Sequence, residues 1–150
     1  MDKELLGQIK NLEFALKLVT EVTQRRQSGV LLTFSTVLQR ELSIISGRYN
    51  KESRKHVIIT LEVIESNARK IIDNLNIVIK TEIRFLQYPD QTIKQEAKEI
   101  GERYLNNFFH WLPGYENATV EQLLGLVKDD LLKLEQAAEH LDEFRKFVKA

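Results

Sequence analysis

Residues 51–86, KESRKHVIITLEVIESNARKIIDNLNIVIKTEIRFL, decide the architecture. They hold neither glycine nor proline, and Val57, Leu61, Ile64, Ala68, Ile71, Leu75 and Val78 recur in steps of four and three. That spacing lines one face of a single helix. A second set (Ile58, Ile72, Ile79, Ile83 and Leu86) widens the stripe well beyond a seam. A helix apolar over so much of its circumference must be covered by several neighbours. At about 1.5 Å per residue it spans roughly 50 Å and can serve as a spine.

Upstream, Asp2 to about Gln27 predicts a first helix, with Leu5, Ile9, Leu12, Leu16 and Val19 flanked by Ala15, Leu18 and Val22. Asp2 and Glu4 suit the positive end of that helix, and Arg25 and Arg26 its negative end. Gln27-Ser28-Gly29 then breaks the pattern, and the next set (Leu31, Phe34, Leu38, Leu42, Ile45) is out of register with the first. Two helices with a tight joint account for this, with a kinked continuous helix as the alternative. Gly29 and Gly47 are expected to act as C-terminal caps, and Asn50 or Ser53 as the N-cap of the spine.

Downstream, the spine must stop before Pro89. Asp90, or Thr92 with Gln95, offers a cap for a fourth helix carrying Ile93, Ala97, Ile100, Tyr104, Phe108 and Trp111, which ends at Pro113-Gly114. Thr119 and Gln122 have capping-box spacing and open the last helix, with Val120, Leu124, Val127, Leu131, Leu134, Ala138, Leu141 and Val148 on its apolar face. Gly125 within it is expected to mark a close helix contact. Joints of a few residues favour antiparallel neighbours. The expected fold is all-α: one domain over 1–150, an antiparallel up-and-down bundle of four to five helices around a long central helix at about 51–87.

Composition narrows the function classes. Lys plus Arg, 22, equals Asp plus Glu, 22, so no global field points to nucleic acid or an anionic membrane. Cysteine is absent, which removes disulfides, thiolate nucleophiles and thiolate metal ligands together. The opening Met1-Asp2-Lys3-Glu4 is unlike a signal peptide and no apolar run is long enough to span a bilayer, so a cytoplasmic protein without membrane contact is expected. No Gly-rich phosphate loop, nucleophile elbow or Ser/His/Asp constellation is present. Inward-facing Glu-x-x-His pairs of the di-metal bundles are missing as well. Glu52 with His56 and His140 with Glu143 offer two ligands each, in charged surroundings that read as solvated helix faces. No metal or cofactor is expected. Asn117-Ala118-Thr119 matches a glycosylation sequon, but Thr119 is better explained as a helix cap.

Two clusters remain. Between residues 40 and 56, Arg40, Arg48, Lys51, Arg54 and Lys55 stand against two acids, a possible anion or partner contact at the start of the spine. Residues 116–150 carry eight acids against five bases, a complementary sign that can steer helices or subunits together. The other cluster is Arg103-Tyr104-Leu105-Asn106-Asn107-Phe108-Phe109-His110. An arginine followed by a histidine near a helix end resembles the motif of HEPN-type helical ribonucleases, although Tyr104 stands where that family has a small polar residue. The resemblance implies metal-independent RNA cleavage at a dimer interface, with Arg103 stabilising the phosphorane and His110 shuttling a proton. The plainer alternative pairs Arg103 with Glu99 on a helix surface and leaves His110 beside Trp111.

The excess of apolar surface on the spine and the lack of a catalytic constellation favour a non-enzymatic protein. It is expected to act by self-association, as a homodimer, or by binding another protein. Nucleic acid is a partner only under the ribonuclease alternative.

Overall fold

A computed structural model describes residues 2–26, 28–87 and 109–150. Among the described residues it is all-α, with helices α1 (Lys3–Arg25), α2 (Gly29–Arg48), α3 (Arg54–Leu86) and α4 (Val120–Lys149) and a short 3-10 turn at Tyr115–Asn117. The fourth helix expected after Asp90 falls largely on residues 88–108, outside the described residues. Around the bundle, α1 lies between α2 and α4, and α3 completes the square by packing on α2 and α4. Neighbours run antiparallel. Asn11 faces His140 while Arg25 meets Asp130, and Arg145 meets Glu65 while Arg26 joins Glu82 to Asp130.

Each helix start has its own chemistry. The Asp2 carboxylate accepts from Leu5 N at 3.1 Å, and the Ser53 hydroxyl accepts from His56 N at 3.2 Å. Thr119 and Gln122 close a capping box, with bonds of 3.1 and 2.9 Å. Caps of this kind contribute about 1 kcal/mol each. The first two helices are separate, broken between Arg25 and Gly29, and the Thr20 and Ser35 hydroxyls tie α1 to α2 at 2.5 Å. Neither expected glycine cap is one. Gly29 opens α2 and Gly47 lies inside it, so the left-handed backbone expected at Gly29 is absent. Gly114 instead takes positive φ, at 79°, and turns the chain after Pro113.

The core follows the apolar stripes with three corrections. The spine buries Val57, Leu61, Ile64, Ala68, Ile71 and Leu75, but Val78 is 45% exposed and Ile79, Glu82 and Leu86 continue the buried face. A strict seven-residue pattern drifts about 20° per heptad on a straight helix. Two consecutive steps of four, 71 to 75 to 79, return the stripe to the core. On α4 the buried line is Leu123, Val127, Asp130, Leu134, Ala137, Leu141 and Phe144. Leu124, Leu131, Ala138 and Val148 are half-buried and Val120 is exposed, because α4 wedges its face between α1 and α3. Gly125 is exposed with open space where a Cβ would stand, so it marks no close contact. On α2, Leu38, Leu42 and Ile45 are buried while Phe34 is 56% exposed.

Candidate functional site

At the end of the bundle where α3 begins, the basic corner is assembled from the turn after α2. Arg48, Lys51, Arg54 and Lys55 are exposed there, and Arg40 is exposed two turns down α2. One of the five has a defined acidic partner within the bundle. Arg54 Nε donates to Asp2 Oδ2 at 2.6 Å and its guanidinium lies 5.6 Å from the centre of the Phe147 ring. That hydrogen bond, with a second from Leu5 N, holds the Asp2 carboxyl below its ordinary range. Tyr49 completes the corner by donating to the Asp2 carbonyl oxygen at 2.9 Å. Here the Arg54 charge ties the start of α1 to the start of α3.

The opposite end holds a buried ionic cluster that the stripe analysis passed over. Arg26, just past α1, sends Nη1 to both oxygens of Glu82 on α3, at 2.5 and 2.6 Å, and Nη2 to Asp130 Oδ2 on α4 at 3.2 Å. Arg25 Nη1 approaches Asp130 Oδ1 at 3.1 Å. Arg26, Glu82 and Asp130 are all under 8% exposed, and Trp111 covers the guanidinium at 4.7 Å. Desolvation pushes the carboxyls of Glu82 and Asp130 above their ordinary values, against the pull of the arginine charges. Arg26 Nε has no hydrogen-bond partner and Asp130 Oδ1 has only its ion pair with Arg25, so the cluster is incompletely satisfied. The sequence signal was present. Glu82 and Asp130 sit on the apolar registers of their helices, and an acid at such a position calls for a buried cation.

The paired ligands suggested by sequence are surface pairs. His56 Nε2 and Glu52 Oε2 are 3.8 Å apart and largely exposed. His140 turns away from Glu143 towards α1, with Nδ1 3.3 Å from Asn11 Oδ1 and its ring against Phe14. No group of three His, Asp or Glu that could hold a metal ion occurs among the described residues. Of the ribonuclease pair, His110 is exposed in the turn beside the buried Trp111, and Arg103 lies outside the described residues.

A third feature is apolar. Val30, Phe34, Val37 and Ile44 of α2 are between 43% and 69% exposed. At 3.6 residues per turn they lie on one flank, away from the flank on which Ser35 bonds α1 and hence on the side where α3 packs. On α3, Glu65 and Arg69 mark the flank that meets α4, and the exposed Val63 and Val78 sit on the other. Val63 lines a shallow depression with Ile59, Glu62, Ser66, Asn67 and Lys70, all on α3 itself. No helix among the described residues is long and apolar enough to cross a membrane. No protein-family model, curated protein or solved structure matches the chain.

Proposed function

We propose that this is a non-enzymatic cytoplasmic protein that acts through protein–protein association, in the first place with a second copy of itself. The observation that supports it is the apolar flank of α2, where Val30, Phe34, Val37 and Ile44 stand between 43% and 69% exposed. Scattered apolar residues on a surface are ordinary, but four that recur along one flank of a single helix mark a candidate interaction face.

Sedimentation of the wild-type chain across micromolar to millimolar concentrations tests this. A concentration-dependent rise above monomer mass is expected. The double variant Phe34→Glu with Val37→Glu places two charges in the row at solvent-exposed positions, and it is expected to stay monomeric with unchanged helicity. A wild-type monomer at every concentration would defeat the self-association reading.

A further inference from the structure

We infer that the buried cluster around Arg26 is a proton-operated latch: the turn carrying Trp111 stays seated while Glu82 and Asp130 share one proton, and lifts when that proton passes to solvent. The inference is independent of the association reading above. Geometry sets the charge count. Arg26 Nη1 donates to both Glu82 oxygens at 2.5 and 2.6 Å, and Nη2 to Asp130 Oδ2 at 3.2 Å. Two ionised carboxylates on one buried guanidinium leave one negative charge in excess. Arg25 is the second cation, but its side chain is 30% exposed and its Nη1 makes no hydrogen bond, only the ion pair with Asp130. Like charges crowded at one buried site favour a proton held between them. Burial pushes both carboxyls up, the Arg26 charge pulls them back, and the Asp130 charge raises Glu82 further.

Among the described residues, the other charged groups around the cluster lie towards solvent. Lys133 of α4 joins Glu21 of α1 at 3.8 Å and Asp129 of α4 at 3.7 Å, and these three side chains are 25%, 42% and 51% exposed. Lys80 and Arg84 stand two residues either side of Glu82, exposed on the far face of α3. The start of α2 brings no charge, since its first charged residue is Arg40. The turn itself brings His110, which is exposed.

Trp111 responds to this balance. Its ring lies 4.7 Å from the Arg26 guanidinium and the residue is 5% exposed. The face of an indole is drawn to a cation electrostatically, so the hold depends on how much of the Arg26 charge the carboxylates leave uncancelled. With one proton on the pair, Arg26 is matched one for one, and the neutral cluster stays dry beneath the ring. With the proton gone, Arg26 is outmatched, the buried negative charge draws water, and the indole loses its hold. The turn bonds within itself, from Leu112 N to Phe109 O at 2.9 Å and from Tyr115 N to Leu112 O at 3.2 Å, so it keeps its shape as it lifts. Lifting uncovers Phe109, which is fully buried when the latch is closed.

Trp111 is the one tryptophan of the chain, so its emission and its quenching by acrylamide report on this seat alone. The titration runs from about pH 4 to about pH 9, across the ordinary carboxyl values and well above them. In the wild type, quenching should rise severalfold with pH while far-UV helicity holds, and release of one proton limits the opening constant to a rise of about tenfold per pH unit. His110→Gln should keep this rise, which separates the latch from a neighbouring imidazole. Glu82→Gln and Asp130→Asn each put a neutral isostere of the protonated carboxyl into the cluster, and Trp111 should stay protected throughout. A flat wild-type curve overturns the latch, as does a rise that vanishes in His110→Gln or persists in both neutral variants. Quenching that rises together with loss of helicity overturns it too, because the bundle is then unfolding. If neither neutral variant folds, the neutral cluster is not the seated state and the inference fails.

Discussion

Arg26 draws carboxylates from two other helices onto one guanidinium at the end of the bundle. Taking charges out of water is costly, and an ion pair offsets that cost only where its remaining polar atoms are satisfied. Here they are not all satisfied, because Arg26 Nε has no hydrogen-bond partner and Asp130 Oδ1 has only the ion pair with Arg25. Arg26→Ala would strand two buried carboxylates and is expected to cost about 3–5 kcal/mol in denaturant titration. The pH dependence follows from the raised carboxyls of Glu82 and Asp130. Since the folded state holds these protons more tightly than the unfolded chain, their contribution is fully present below the ordinary values of 4.5 and 3.8. It is lost as the pH rises through the raised folded values. Asp2, held low by Arg54, acts in the opposite sense and weakens the fold as the pH falls through its depressed value. Glu82→Gln should therefore flatten the rise in stability on mild acidification, measured by urea titration at several pH values. An unchanged slope in that variant would place the proton uptake elsewhere. His110 provides a second residue-level check. With its side chain exposed in the turn beside Trp111, His110 is expected to play no part in RNA cleavage, so neither the wild type nor His110→Ala should cut single-stranded RNA in chelator. Wild-type cleavage that falls at least about a hundredfold in the variant would establish the ribonuclease alternative instead.

Among the elements, α3 carries the sharpest test of register. Ile79 is fully buried and its neighbour Val78 is 45% exposed, although both fit an apolar helical period when read along the chain. Ile79→Ala is expected to cost about 2–5 kcal/mol, the range for truncating a large core side chain. Val78→Ala should cost under about 1 kcal/mol, since little buried surface is lost. Comparable losses at both positions would mean that the stripe keeps its strict heptad to the end of the helix. The contrast between α2 and the other helices has the same origin. α2 bonds α1 through Ser35, buries Leu38, Leu42 and Ile45 and packs on α3, yet Val30, Phe34, Val37 and Ile44 stay exposed, so its apolar residues exceed what the bundle covers.

For the whole molecule, the proposed association would make oligomerisation and stability one equilibrium. A dimer that forms only from folded chains draws the folding equilibrium with it, so its melting temperature depends on protein concentration. Wild-type melting is expected to shift upwards over a hundredfold increase in concentration, while the Phe34→Glu with Val37→Glu variant should melt at one temperature throughout. A wild-type midpoint independent of concentration would separate the apolar flank of α2 from any role in stability. The two ends of the bundle are held differently as well. Arg54 on Asp2 is a solvent-exposed bridge of modest worth, while the Arg26 cluster is dry and sealed by Trp111.

Helix class and most boundaries of the described helices were legible in the chain, because they depend on local pattern and end chemistry. Leu5, Ile9, Leu12, Leu16 and Val19 came out as the core of α1, and Ser53 and Thr119 as caps, since each reading needs only a few neighbouring residues. The basic corner was legible as composition, and the bond from Arg54 to Asp2 was not, because those residues are separated by 52 positions. The same holds for Arg26 with Glu82 and Asp130, where helix-end electrostatics alone explained the arginine until three helices were brought together. Phe34 and Val78 show the remaining limit. An apolar residue at helical spacing is assigned a face by the chain, but only the neighbours decide whether that face is covered. A helix can bury no more of its circumference than its partners reach. Tertiary packing alone determined that Val30, Phe34, Val37 and Ile44 of α2 stay uncovered.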